Sequence, residues 1–473
     1  MTRALPRIPW RSLALAVTTA VLVVGAAAPS AAAANRLTLV KDINPRGSSF
    51  PTYLTKVGST LFFAANDGVH GTELWKTDGT AAGTKMVKDI RVGKKSSSPA
   101  NLINVNGTLF FTATDGRHGG QLWKSDGTKA GTVMIPASGT SPAPQPSCGG
   151  AIGMTSGYLD YGMYYPPVAV GNRLFYFVSG GGCACCSVTL YVSNGTAAGT
   201  YALDNVEVST DIEEGGRNAA ALNGKLYFVG GDYWDGSISL WVSDGTESGT
   251  HALAGAPTGN ISFLPDQGQN LYFSTYTEDV WPAQIQLWKT DGTEAGTKPL
   301  TSVGELRVVP TEAAYMAKRL YFLGSYQDPV TNYSYDQLWR SDGTARGTKP
   351  IVNFGIYASP DGLTQSGGRL FFVIDRDLWK SDGTATGTKD VGQFGAQYPR
   401  ELIAVGDKLC FAEMDWNAGT WSLWESNGNA SGTYQVGTFA GNPDSLVQVA
   451  IGSKLFFAAN DISHGMELWS YTP

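Results

Sequence analysis

Two pairs of loop carboxylates, set among flat aromatic rings, are the residues of this chain best suited to chemistry. Asp232 and Asp235 stand in "VGGDYWDGSIS", Glu278 and Asp279 in "STYTEDVWPAQ". A carboxyl pair roughly 5 to 10 Å apart, one acting as acid and the other as base or nucleophile, cleaves a glycosidic bond. These four are therefore the candidate catalytic residues of a polysaccharide-degrading enzyme, a hydrolase or lyase. The rings beside them are Tyr233, Trp234 and Trp281, followed by Tyr333 and Tyr335 in "SYQDPVTNYSYD" and Trp416 in "EMDWNAGTW". A sugar stacks its C–H face on an aromatic and offers hydroxyls to acceptors, so this mixture also suits a non-catalytic glycan site. It suits a protein interface as well, and loop aromatics that fold back onto a scaffold would look the same.

Histidine and cysteine raise the question of a metal. His70, His118 and His464 share one position, "VHG", "RHG" and "SHG" ahead of a Leu-Trp pair. The position repeats along the chain, which favours a turn role over coordination, and no metal or cofactor is expected. Cys148, Cys183, Cys185 and Cys186 are candidates for disulfides in an exported chain, with three pairings open, and "CACC" is the one soft-metal alternative. Cys410 stands where an aromatic recurs elsewhere and reads as a buried thiol.

Composition narrows the partners. Arg3, Arg7 and Arg11 precede an apolar run from Leu13 to Ala28 that ends in "PSAAAANR", the pattern of a cleaved export signal over residues 1–34. Without those three arginines, 31 basic residues face 40 acidic ones and the formal charge moves from −6 to −9. No basic stripe is left to bind nucleic acid. The mature chain is expected to be secreted or otherwise extracytoplasmic, without a membrane span, monomeric, and matched to an extracellular glycan or protein.

The scaffold that must position these loops is written as a repeat. "ELWKTDGTAAGT" at 73 recurs in variant form at 121, 189, 239, 286, 337, 377 and 422, and a ninth Leu468-Trp469 stands near the C-terminus. Ahead of each lies a Leu-aromatic-Phe strand, as in "TLFFAAND". Spacings of 40 to 68 residues, each holding four short strands a to d, define the blades of an all-β propeller, about nine of them. Residues 35–473 then form one domain, with an insertion at 138–168 and a Cys-rich loop at 179–187 in blade 3. The ninth unit lacks strand d, while "RLTLVKDI" at 36–43 matches the first unit's "TKMVKDI". The N-terminal strand is expected to complete the last blade and close the ring.

The invariant turn uses Asp78, Asp126, Asn194, Asp244, Asp291, Asp342, Asp382 and Asn427. Asp or Asn followed by Gly supplies a short acceptor and then a residue tolerant of positive φ, which makes the motif scaffold. One carboxylate per turn cannot satisfy calcium. Trp75 and its equivalents are expected to pack on the next blade.

These motifs are similar to those of the bacterial ELWxxDGT repeat family, across nearly the whole mature chain. The resemblance implies an exported bacterial propeller and carries no agreed activity. The turn also resembles the structural Asp-box of sialidase and sortilin-type propellers. Departures fall at Tyr191, Asn194, Asn427 and Asn429.

The Leu-to-Leu distance between strands b and c varies from 8 (370 to 378) to 18 (320 to 338). Variable b–c loops and d–a loops share one face, which is where binding is expected. The favoured reading is an exported module that binds an extracellular ligand there, carbohydrate ahead of protein. The alternatives are the enzyme and a purely structural cell-surface protein.

Overall fold

A computed structural model describes residues 36–136, 166–179, 188–203, 218–231, 238–265, 270–277, 284–306, 310, 312–328, 330–331, 333–394, 398–441 and 448–473. The fold is an all-β propeller of antiparallel, four-stranded blades. Blades 1 to 7 occupy 52–88, 100–134, 168–203, 219–252, 260–299, 313–355 and 361–393 as separate sheets. Blades 8 (399–440) and 9 (448–471 with 37–41) make one eight-stranded sheet, joined among the described residues through the pair Ala440 and Asn460. Among the described residues, no helix is long and apolar enough to cross a membrane.

Strand b is buried on both faces, as its apolar run requires. In Thr60–Asn66 the five central residues are all buried, because blades cover the sheet on both sides. Each hydrophobic cluster draws on two consecutive blades. Phe62 and Leu74 of blade 1 pack with Phe111 and Trp123 of blade 2. Phe456 and Leu468 of blade 9 pack with Phe63 and Trp75 of blade 1. The tryptophans therefore face the preceding blade, not the next one, which corrects the expectation for Trp75. Within a blade, the Trp lies opposite the Phe of strand b, as in Phe411 and Trp424, stacked at 6.1 Å. In blade 3 both partners are tyrosines: Tyr176 and Tyr191 stack at 5.4 Å, so the departure at Tyr191 is matched across the strand pair.

The strand Leu37–Lys41 pairs antiparallel with Gly465–Tyr471, Thr38 opposite Ser470. Glu467 and Glu73, the first letter of the motif in blades 9 and 1, are fully buried and pin the d–a connections. Glu467 accepts from the Ile43 amide at 3.1 Å, the Ser49 amide at 3.1 Å and the Ser49 hydroxyl at 2.6 Å. Glu73 repeats this with Ile90, Ser97 N–H and Ser97 Oγ at 2.9, 3.0 and 2.6 Å. Blade 2 carries Gln121 there, and its amide donates to His118 O instead.

Every letter of the c–d turn has a physical task. Asp78 Oδ1 accepts the Thr80 amide (2.9 Å) and hydroxyl (2.7 Å), and Thr80 Oγ1 accepts the Gly83 amide (2.9 Å). Thr77 Oγ1 accepts the Gly79 amide (2.9 Å) and lies 2.7 Å from the Thr84 hydroxyl beneath the turn. Gly79 is required twice over, since its φ is +90° and a Cβ there would stand 3.0 Å from Phe456 of blade 9. A Cβ on Gly83 would fall 2.0 Å from Asp78 Oδ1. Gly83→Ala is therefore expected to drive the carboxylate off its donors and destabilise the protein by about 1–2 kcal/mol in denaturant titration, turn by turn.

The aromatic that follows Leu in strand b supports the next blade's turn, as Phe62 does under Gly127 and Phe371 under Gly428. Blade 9 ends without a turn of its own. In blade 8 the supporting position is Cys410, fully buried in the hydrophobic cluster that also holds Tyr471. Burial pushes the Cys410 thiol up and the neighbouring Glu425 adds to this, which keeps it an inert thiol. Tyr471 donates to the buried Glu425 at 2.5 Å, and Arg36 lies 3.7 Å from the same carboxylate.

Candidate functional site

Strand a, the innermost of each blade, carries a recurrent irregularity. In Pro51-Thr52-Tyr53-Leu54, Pro99-Ala100-Asn101-Leu102, Pro360-Asp361-Gly362-Leu363 and Pro399-Arg400-Glu401-Leu402, the third residue has positive φ: 56°, 54°, 73° and 54°. The pairing register to strand b shifts at the same place. A bulge re-aims the side chains on either side of it. Neighbouring bulged strands are tied together: Thr55 Oγ1 donates to Leu102 O and Thr364 Oγ1 to Leu402 O.

The bulged strands of blades 7 and 8, with Glu312 and Ala313 of blade 6 and Pro265 of blade 5, line a cleft of about 1060 Å³. Its wall runs from Leu363, Thr364 and Leu402 on strands a up to Asp375 in the blade 7 hairpin, with Pro265 of blade 5 also lining it. That hairpin and the d–a connections carrying Ser359 and Tyr398 place its mouth on the b–c and d–a face.

The chemistry in the wall centres on two carboxyls from adjacent blades. Glu312 Oε2 accepts the Leu363 amide at 2.7 Å, and the Asp361 carboxyl is the neighbour of the Glu312 carboxyl. Burial pushes Glu312 above its ordinary value, and the neighbouring Asp361 pushes in the same direction. Asp375 and Glu401 add negative charge, and Arg400 is the basic residue of the lining. Beside it, the Arg376 guanidinium lies over the Tyr398 ring at 5.5 Å, and that ring remains 43% exposed.

The loop residues singled out from the sequence fall elsewhere. Asp232, Tyr233, Trp234, Asp235, Glu278, Asp279 and Trp281 lie outside the described residues, as do Cys148, Cys183, Cys185 and Cys186. Tyr333 and Trp416 are half exposed at the tips of the blade 6 and blade 8 hairpins. Tyr335 sits opposite Tyr326 within the blade 6 pair. Trp421, in the same segment as Trp416, is core, stacked on Phe439 at 4.8 Å. The three histidines each pair with the aspartate three residues earlier, at 2.7, 2.7 and 2.8 Å. Among the described residues, no group of three His, Cys, Asp or Glu side chains is placed to hold a metal ion.

Sequence reasoning missed the cleft because it read strand a as scaffold. The available signal was the Pro-x-x-Leu pattern, with charged residues inside it at Asp361, Arg400 and Glu401.

No family model matches the chain, and no curated protein matches it in sequence. Solved structures resemble it in shape. Porphyromonas gingivalis dipeptidyl peptidase 4 aligns over 80% of this chain and 58% of its own, at 9% identity and TM-score 0.50. A eukaryotic initiation factor aligns over 85% and 91% at 12% identity and TM-score 0.48. The β-propeller domain of the Trilobed protease from Pyrococcus furiosus aligns over 64% and 93% at 12% identity and TM-score 0.36. The chain thus spans a little over half the length of the peptidase. At such identities the likeness speaks to fold, and the class it defines is the β-propeller.

Proposed function

We propose that this chain is an exported member of the ELWxxDGT repeat family, a propeller closed by its N-terminal strand that binds an extracellular ligand, carbohydrate ahead of protein, on its b–c and d–a face. The observation that carries this reading is the 1060 Å³ cleft at that face, where an exposed tyrosine ring stands beside hydrogen-bonding carboxyls. Concave sites with a few convergent polar groups are the usual form of small-ligand and glycan sites.

The enzymatic reading is less well supported. Glycosidase carboxyls stand roughly 5 to 10 Å apart to admit a sugar and water, whereas Glu312 and Asp361 are direct neighbours that push on each other's charge. A glycan array with the wild-type protein and Tyr398→Ala tests the proposal. The expected result is retention of defined glycans without product release, weakened about tenfold by the substitution through loss of ring stacking. Retention that is unaffected by cleft substitutions would move the site elsewhere.

A further inference from the structure

The rim of the face is uneven. Counted from the same Leu–Ser pair, the b–c hairpin of blade 6 runs eight residue pairs, from Leu320–Ser341 to Gln327–Ser334. Blade 8 runs seven, from Leu409–Ser426 to Asp415–Thr420. Blade 7 between them stops after five, from Leu370–Ser381 to Ile374–Asp377, and turns at once through Asp375 and Arg376. A strand rises about 3.3 Å per residue, so the flanking hairpins stand about 7–10 Å taller. The cleft reaches up to this low wall at Asp375.

Exposed rings stand on both sides of the notch. Tyr357, 80% exposed, lies on the connection entering blade 7, and Tyr398 on the connection entering blade 8. A site meant to cap a single sugar or a chain end needs a closed wall. This one has a central cleft continuous with a radial gap flanked by rings. Four acidic groups against one arginine in the lining disfavour a polyanion.

We infer that the cleft and the notch over blade 7 form one groove that binds internal segments of a linear, uncharged polysaccharide, with the chain passing radially outward between the hairpins of blades 6 and 8. The inference rests on the glycan-binding reading and specifies its ligand. Tyr398 at the mouth of the cleft and Tyr357 beyond it stack successive sugars, and the Glu312–Asp361 pair hydrogen-bonds hydroxyls of the innermost one.

The test fills the notch from the tip of the blade 7 hairpin, at the upper edge of the cleft wall. Three Thr-Ser pairs inserted between Asp375 and Arg376 raise the blade 7 hairpin to the height of blade 6. Wild type and insertion are compared by affinity electrophoresis in soluble mixed-linkage β-glucan, xylan, glucomannan and pullulan, with alginate and polygalacturonate as charged counterparts. Calorimetry follows, with the monosaccharide and hexasaccharide of whichever polymer retards the wild type.

The expected result is retardation by a neutral polymer and a hexasaccharide bound about a hundredfold more tightly than the monosaccharide, with the insertion removing at least about tenfold of polymer affinity. The melting temperature should stay unchanged. Equal affinity for one sugar and six, binding of the polyuronates only, or an insertion without effect would each overturn the groove and leave the glycan-binding reading standing. A wild type that none of these polymers retards, and that retains nothing on the array, would remove both.

Discussion

Glu467→Ala is expected to destabilise the protein by about 3 kcal/mol or more, because a buried acceptor is removed while its donors stay in place. Ile43, Asn44 and Ser49 direct three amides and one hydroxyl at this carboxylate, and the side chain is fully buried. Those donors belong to the connection that carries the chain from the N-terminal strand into blade 1, so the defect should appear there first. Ser49→Ala removes one of the four bonds and is expected to have a smaller effect, about 1 kcal/mol. Urea titration measures the loss, and hydrogen exchange at residues 43–49 locates it. The pH dependence has a defined sign. Burial raises the folded carboxyl above its ordinary 4.5, against the pull of its hydrogen bonds, so the native state holds this proton more tightly than the unfolded chain. Its contribution to stability therefore grows as pH falls through the folded value, levels off below 4.5, and is missing from the alanine variant. A substitution that is neutral at all pH values would mean that water replaces the carboxylate on these donors.

The scaffold was legible in the sequence because each blade repeats the same letters for the same physical reasons. The Asp-Gly-Thr turn could be read as scaffold from Asp78 and Gly79 alone, and strand b from its unbroken apolar run. What was not legible depends on which blade lies beside which. Trp75 was placed on the wrong neighbour because strand patterning fixes that a ring is buried and not which adjoining sheet covers it. The role of Glu467 and Glu73 was hidden because this device recurs in two blades, where a nine-fold comparison sees only variation among Glu, Gln, Thr, Ser and Asp. Cys410 could be read as a buried thiol, but why it replaces an aromatic could not. It becomes intelligible once Phe62 is seen under Gly127 and blade 9 is seen to end without a turn to support. The cleft is the furthest from sequence reasoning, since Glu312 and Asp361 are 49 positions apart and meet only because consecutive inner strands pack side by side.

A cross-link between the first and last strands should give the largest gain in stability. Thr38 and Ser470 are opposed in register with their hydroxyl oxygens 2.9 Å apart, across a sequence separation of 432 residues. Thr38→Cys with Ser470→Cys is therefore expected to oxidise readily. A bridge over so long a loop restricts the unfolded chain most, by up to about 5 kcal/mol in the chain-entropy account. Spread over the large unfolding entropy of a chain this size, that corresponds to a melting shift of about 5 °C. The control is Lys76→Cys with Lys85→Cys, an opposed pair in blade 1 that closes a short loop, for which about half the stabilisation is expected. Both variants are compared with the parent chain under oxidising and reducing conditions, so that changes at the native cysteines cancel. Slow or incomplete oxidation of the 38–470 pair, or a shift no greater than that of the short-loop control, would mean that the N-terminal strand is not held against blade 9 in solution. In that case blade 9 would present an open edge, and the nine blades would lack the join that fixes blade 1 against its neighbour.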